Sequence, residues 1–208
     1  MQLVPDVDYY SVVASGSADR AAASRELGGL LSRLWSAEYR SQVPECSLLE
    51  LDSDGATFLF DLASAAGARQ ADRTVAAWGV SRRAPHPRDE SYQRGYPSPR
   101  GRAMRSLDKG HMVAHAAGGT FGPNMFPQDR DLNRGWSAKG RRYRALEREI
   151  ANTPGTFFFC CLLYADDTDF PAAIELGCSG PTGCMSSGSE TGSTCDALSC
   201  YAARTRNA

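Results

Sequence analysis

The sequence predicts an α+β protein in which an antiparallel sheet packs against helices. Three observations predict this class: an amphipathic helical pattern near the start, two apolar runs joined by an Asp-Gly dipeptide, and a continuous apolar run in the second half. With 208 residues the chain is long enough for one domain with a full core and extensions. We therefore expect a single main core rather than two.

The first two elements are a helix and a β-hairpin. Residues 18–40 carry leucines at helical spacing, and aromatic side chains widen the apolar stripe: Leu27, Leu30, Leu31, Leu34, Trp35 and Tyr39. Residues 48–51 (LLEL) and 57–62 (TFLFDL) flank Asp54-Gly55, a dipeptide that accepts the positive φ of a tight turn. The pattern predicts that the two runs pair as a hairpin.

A third strand and a long loop follow. Residues 74–80 (TVAAWGV) are apolar enough for a strand that ends at Ser81-Arg82-Arg83. Residues 84–105 contain four prolines and five arginines and lack apolar periodicity. A loop of this length inside a compact domain is usually functional.

The second half predicts one helix, one buried strand and a tail. Helical spacing of apolar residues begins near Leu132 and reaches Ile150, and Gly140 is expected to interrupt or bend this helix. Residues 156–164 (TFFFCCLLY) suit a strand that is buried on both faces. Residues 178–194 are almost entirely Gly, Ser, Thr and Cys, which predicts a disordered tail.

Charge is distributed unevenly along the chain. The net charge is only −1, yet residues 79–149 hold 15 of the 23 Lys and Arg and 7 of the 24 Asp and Glu, a local balance of +8. The remaining residues then carry −9. A basic block of this kind is typical of a phosphate-binding face, although solvated surface arginines explain the charge equally well.

The seven cysteines leave several alternatives open. Cys160 and Cys161 lie in the apolar run and are expected to be buried thiols. Cys178, Cys184, Cys195 and Cys200 could form disulfides, remain thiols or bind zinc, but their spacing matches no familiar zinc pattern. The chain also contains no run of eighteen apolar residues and no signal-peptide pattern at its start, so we expect a soluble protein without a membrane span.

Two of the three histidines lie four residues apart in the stretch DKGHMVAH, residues 108–115. A zinc hydrolase motif would place a glutamate directly after the first histidine, but Met112 stands there. We therefore disfavour a zinc pair and expect His115 to be structural. The third histidine, His86, lies between prolines and is expected to be exposed.

Residues 108–136 carry a more specific pattern. DKGH at 108–111, NMFPQ at 124–128 and DLN at 131–133, with Trp136 nearby, resemble the DNA/RNA non-specific endonuclease family, whose signature is DRGH, NxxPQ and a later Asn with a nearby Trp. The resemblance covers roughly residues 70–177 and implies a ββα-metal finger. It divides the chain into a helix and hairpin region (1–69), a nuclease domain (70–177) and a low-complexity tail (178–208). The segments at 124–149 and 164–177 further resemble nuclease modules of bacterial polymorphic toxins.

The resemblance implies a role for each matching residue. His111 would be the general base, and Asn133 would bind Mg²⁺, which Mn²⁺ can replace. Asn124 would orient the histidine loop or the attacking water, and Gln128 would brace the finger. The family's arginine that stabilises phosphoryl charge falls at Arg82, with Arg83 as the competing choice. Asp108 and Lys109 belong to the motif as supporting residues.

Two departures affect the site. Lys109 replaces the usual Arg of DRGH and gives up bidentate phosphate geometry. The expected glutamate position holds Arg141, and Glu147 lies fourteen residues after Asn133, ~21 Å away along a straight helix. Either the helix breaks at Gly140 and folds back, or the site lacks that carboxylate.

The implied partners are DNA or RNA and, for a toxin, an acidic immunity protein. The competing function is a nucleic-acid-binding module whose catalytic site has decayed.

Overall fold

The computed structural model describes residues 20–69, 71–84, 86–87, 89–95, 107–179 and 200–206. Its helices are α1 (Arg20–Gln42), α2 (Glu90–Gly95), α3 (Arg130–Arg134) and α4 (Ala138–Asn152). Its strands are β1 (Leu48–Ser53), β2 (Ala56–Asp61), β3 (Arg73–Val80), β4 (Leu107–His111), β5 (Met125–Asp129), β6 (Phe157–Leu163), β7 (Ala173–Ser179) and β8 (Cys200–Arg206). The predicted α+β class is confirmed.

Six strands form one antiparallel sheet in the order β1-β2-β3-β6-β7-β8, and β4 pairs with β5 in a separate two-stranded sheet. The predicted hairpin is confirmed: Ser53 pairs with Ala56 around Asp54 and Gly55, whose φ angles are 55° and 82°. These left-handed angles are those that Asp and Gly accept most readily. The hairpin therefore forms where the dipeptide predicted it.

Helix α1 covers one face of the sheet. Its buried apolar side chains, Leu27, Leu31, Trp35 and Tyr39, recur every four residues. The Trp35 ring lies 5.8 Å from the Trp78 ring of β3 and 5.8 Å from the Phe159 ring of β6, measured between centroids. These contacts join α1 to the centre of the sheet, so α1 and the β1–β2 hairpin share the main core.

Strand β6 is the centre of the core, because every residue from Phe157 to Leu163 is buried. Phe159 faces α1, whereas Phe158 borders a small cavity together with Ile150 of α4 and Leu176 of β7. Helices therefore cover both faces of β6, which explains its unbroken apolar sequence. Cys160 and Cys161 are buried there, as predicted.

Two predictions about irregular segments need correction. The loop at 84–105 contains helix α2 between its two pairs of prolines, where Glu90 and Arg94 form an i,i+4 ion pair of 3.6 Å. Residues 96–106 lie outside the described part. The predicted tail is also wrong for residues 200–206, which form β8 and pair with β7 from Ser179↔Cys200 to Ala173↔Arg206. Amino-acid composition does not reveal this strand, because backbone hydrogen bonds to an open sheet edge do not depend on apolar side chains. Residues 180–199, including Cys184 and Cys195, lie outside the described residues.

The predicted break at Gly140 is wrong as well. The chain reverses at Gly135, whose φ is 73°, and Gly140 lies inside α4. Among the helices that the structure describes, none is long and apolar enough to cross a membrane.

Candidate functional site

Strands β4 and β5 and helix α3 form a compact unit beside the large sheet. Asp108 pairs with Gln128 and His111 pairs with Met125 across the two strands. Helix α3 begins directly after β5, where the Asp129 side chain caps it by accepting a hydrogen bond from the Leu132 amide at 2.9 Å. The unit thus places His111 at the end of a strand and Asn133 in the following helix.

Asp108 holds this unit together. Its carboxylate accepts hydrogen bonds from Arg134 at 2.7 and 3.0 Å, from Arg130 at 3.2 Å and from the Asn133 side-chain nitrogen at 3.2 Å. Burial alone would raise the pKa of Asp108, but the hydrogen bonds from Arg134, Asn133 and Arg130 outweigh it and lower this pKa below its usual value. Asp108 is therefore a charged anchor whose partners fix the direction of the Asn133 amide.

Asn124 fixes the loop that follows His111. It is completely buried, accepts a hydrogen bond from the Val113 amide at 2.8 Å, and donates to the carbonyl oxygens of Val113 at 3.0 Å and Thr120 at 2.6 Å. Its backbone carbonyl also accepts from the Met112 amide at 3.0 Å. With these partners and no exposed surface, the side chain positions the histidine loop and does not reach a substrate or an attacking water.

A tight chain reversal between α3 and α4 returns the chain to His111. Gly135 takes a left-handed conformation after α3, and the Ser137 hydroxyl then caps α4 by accepting from the Gly140 amide at 2.9 Å. Helix α4 packs closely on the end of α3: a Cβ on Gly140 would lie 2.4 Å from the Asp131 carbonyl oxygen. Gly140 therefore allows α3 and α4 to approach closely. It serves this contact from inside α4 and does not break the helix.

The result is a pocket of about 320 Å³ on the surface of the β4–β5–α3 unit. Residues from β4, the loop after it, α3 and α4 line it: Lys109, His111, Ala114, Asn133, Arg134, Arg144 and Glu147. Glu147 is 12 % exposed and pairs with Arg144 at 3.0 Å. The pocket combines an imidazole, an amide and a carboxylate with three cationic side chains, a set suited to binding a phosphate and a cation together.

Tyr143 of α4 is fully buried, and its hydroxyl lies 3.5 Å from the His111 carbonyl oxygen. Burial, together with the charge of Glu147, raises the pKa of Tyr143 well above its usual value. Tyr143 therefore stays neutral, and its hydroxyl contacts the backbone of the histidine.

Three predicted site residues lie elsewhere. Arg82 follows β3 and pairs with Asp54 of the β1–β2 turn at 3.4 Å, while its backbone amide donates to the Ala117 carbonyl. It does not line the pocket, and Arg83 beside it is exposed. Gln128 is completely buried under Gly110, where a Cβ would lie 2.4 Å from its Oε1 atom. The bracing role of Gln128 stays a prediction.

The histidines do not form a helical pair. His111 ends β4, whereas His115 begins a 3₁₀ turn and does not line the pocket. Across the ranges that the structure describes, no three His, Cys, Asp or Glu side chains lie where they could hold one metal ion. His86 is exposed, as predicted.

Sequence reasoning did not single out Arg134 and Arg144 as pocket residues. Arg134 follows Asn133 directly, and Arg144 lies three residues before Glu147, the spacing that places two side chains on one helical face. That spacing was the available signal, but it depends on knowing that Glu147 returns to the site. No protein-family model matches the chain, and no curated protein matches it.

Proposed function

We propose that the protein is a Mg²⁺-dependent, sequence-tolerant endonuclease that hydrolyses phosphodiester bonds of DNA, RNA or both, with the pocket as its active site and the β4–β5–α3 unit as its ββα-metal finger. One observation carries the proposal: the reversal at Gly135 brings Glu147 into the same pocket as His111 and Asn133. Along a straight helix the carboxylate would lie ~21 Å from Asn133. His111 and Asn133 lie 22 residues apart (133 − 111) and Glu147 a further fourteen, so their convergence in one pocket supports a common task.

Phosphodiester hydrolysis sets the roles of these groups. Attack of water on phosphorus forms a new P–O bond, breaks the bond to the leaving oxygen, and requires the water to lose a proton. His111 takes that proton, because an imidazole exchanges protons readily near neutral pH. Lys109, Arg134 and Arg144 neutralise the negative charge on the phosphoryl oxygens, and the leaving oxygen takes a proton from solvent.

The donor set of the pocket fits Mg²⁺. The Asn133 side-chain nitrogen donates to Asp108. The oxygen of the same amide takes no part in that hydrogen bond and can serve as a ligand. Asn133 and Glu147 offer an amide oxygen and a carboxylate oxygen, the hard ligands that Mg²⁺ prefers. When bound, Mg²⁺ supplies positive charge to the phosphoryl oxygens. Asn133 and Glu147 would bind the ion, and His111 would accept the proton of the attacking water.

The polarity of the pocket supports a nucleic-acid substrate. Each cationic side chain that neutralises one phosphate of a duplex contributes about −0.9 to the slope of log affinity against log salt concentration. For Lys109, Arg134 and Arg144 together we expect a slope of about −2.7 or steeper. Binding with no salt dependence would contradict the proposed phosphate contacts.

The test is cleavage of a supercoiled plasmid with Mg²⁺ and with EDTA. We expect His111→Ala to abolish cleavage while it retains the fold and DNA binding. His115→Ala is the matched control, because His115 lies on the same loop but outside the pocket, and it should cleave like the wild-type protein. Wild-type cleavage by His111→Ala would remove the mechanism. Retention of DNA with no cleavage under any divalent cation would instead favour the decayed binding module.

The proposal extends to a biological role. The family resemblance supports an antibacterial effector, and an acidic immunity protein would complement the basic block at residues 79–149. Coexpression with an acidic protein encoded beside it should protect cells from the toxicity of the wild-type chain. If His111→Ala is as toxic as the wild type, toxicity does not come from cleavage.

A further inference from the structure

Trp136 is the most exposed large apolar side chain of the described residues, with 60 % of its surface accessible, and it lies in the short reversal between α3 and α4. Its backbone makes two hydrogen bonds. The Trp136 amide donates to the Asp131 carbonyl at 2.9 Å, and the Trp136 carbonyl accepts from the Arg141 guanidinium at 3.3 Å. A scattered exposed aromatic residue needs no explanation. Trp136 differs because its backbone is fixed on both sides and the residue lies beside the pocket.

Arg134 connects the indole with the pocket. Its guanidinium carbon lies 5.0 Å from the centroid of the Trp136 ring, and the same guanidinium bonds Asp108 at 2.7 and 3.0 Å and lines the pocket. A cation at this distance is attracted to the face of an aromatic ring. The ring is thus one side chain away from the proposed phosphate site.

We propose that Trp136 is a stacking platform for an unpaired base of the nucleotide that follows the phosphate in the pocket, so that the preferred substrate is single-stranded or locally unpaired nucleic acid. This inference rests on the proposed function of the pocket. Every base has an aromatic face that can stack on an indole, so the platform is compatible with tolerance of sequence. In a duplex those faces are covered by neighbouring bases, so Trp136 adds nothing to duplex binding.

The fluorescence of the protein allows a direct test. Of its three tryptophans, Trp35 and Trp78 are buried at 4 % and 7 % exposure, so only Trp136 can meet a bound base. We would titrate the His111→Ala protein in EDTA with a short thymidine oligonucleotide and follow tryptophan emission. Affinity would be measured separately from the anisotropy of a fluorescein label on the oligonucleotide. A mixed-sequence duplex of equal length serves as the paired probe.

We expect the oligonucleotide to quench emission, and Trp136→Phe to remove the quenching while it binds nearly as tightly. Trp136→Ala and Trp136→Leu should each bind the oligonucleotide roughly tenfold more weakly, because they lose the aromatic face, and should bind the duplex unchanged. The inference is overturned if Trp136→Ala binds the oligonucleotide like its parent, or if it loses affinity for both probes equally.

Failure of this inference and failure of the proposed function give different results. If the wild-type chain cleaves plasmid but the oligonucleotide leaves the fluorescence unchanged, the nuclease stands and the stacking platform is lost. If quenching at Trp136 occurs but the wild-type chain never cleaves, the platform stands and the protein is a binding module.

Discussion

Gly140→Ala tests whether the packing of α4 on α3 sets the geometry of the pocket. A Cβ at this position would lie 2.4 Å from the Asp131 carbonyl oxygen, 2.8 Å from the Leu132 carbonyl oxygen and 3.0 Å from the Gly135 Cα atom. All three are backbone atoms, so no side chain can rotate away. Ordinary contact begins at 3.4 Å, and the closest distance is 1.0 Å too short (3.4 − 2.4), so α4 must move by about 1 Å.

This displacement has a cost in stability. Overpacking of a tight contact typically costs about 1–3 kcal/mol, whereas replacing a helical glycine by alanine gains about 1 kcal/mol. We therefore expect the free energy of unfolding in urea to fall by up to about 2 kcal/mol. Gly29→Ala in α1 is the matched control, because its Cβ would meet only Arg33 Nη1 at 3.6 Å. That variant should gain up to about 1 kcal/mol.

The same displacement moves Glu147 relative to His111 and Asn133. A misplacement of 1 Å can lower the rate of an oriented reaction by roughly 10²-fold, so plasmid cleavage by Gly140→Ala should fall by roughly that factor at a temperature where the variant is fully folded. Gly29→Ala should cleave normally. The reasoning is refuted if Gly140→Ala is stabilised as Gly29→Ala is, or if it cleaves at the wild-type rate.

Three further predictions concern single side chains. Asp108→Asn should lower the free energy of unfolding by about 2 kcal/mol near neutral pH, since the charge that Arg130 and Arg134 share is lost. The pKa of Asp108 is lowered in the folded protein, so its ionised side chain contributes fully to stability above the unfolded pKa of about 3.9. This contribution is lost as the pH falls through the folded pKa. The urea midpoints of the variant and the wild type should therefore converge in acid. Asn124→Ala leaves buried backbone groups of Val113 and Thr120 without partners and should cost about 3 kcal/mol; a loss below about 1 kcal/mol would show that the loop is held otherwise. Glu147→Gln should change stability by less than about 1 kcal/mol, since Arg144 is half exposed, yet strongly reduce cleavage; a wild-type rate would exclude this carboxylate from the chemistry.

Much of the large sheet could be predicted because its signals are local. The Asp54-Gly55 turn, the apolar run of β6 and the four-residue repeat of α1 each depend on a short stretch of chain. Strand β8 could not be predicted, because it is defined by an edge of β7 that becomes available only in the folded sheet.

At the site, the structure places His111 at the end of β4 and Asn133 in α3, both lining one pocket, and the predicted helix break at Gly140 was wrong. In the sequence, Gly135 and Gly140 are both consistent with a helix break. Only the packed helices show that Gly135 makes the turn, whereas Gly140 allows α4 to contact α3. Ser137, two residues after Gly135, is of a type that favours the N-cap position and so indicates the start of a new helix. The position of Arg82 outside the pocket lining could not be read from the sequence, because its ion pair with Asp54 joins segments 28 residues apart (82 − 54), which no local pattern reveals.

The placement of β8 has a consequence for biosynthesis. Synthesis proceeds towards the C-terminus, so every residue that lines the pocket is added before the strand that covers the outer edge of β7. Until residue 206 has been added, the nascent chain presents an open row of amide and carbonyl groups to any extended polypeptide nearby. During the interval between synthesis of β7 and of β8, the edge of β7 can therefore pair with another chain, and a chaperone that covers it would prevent this pairing.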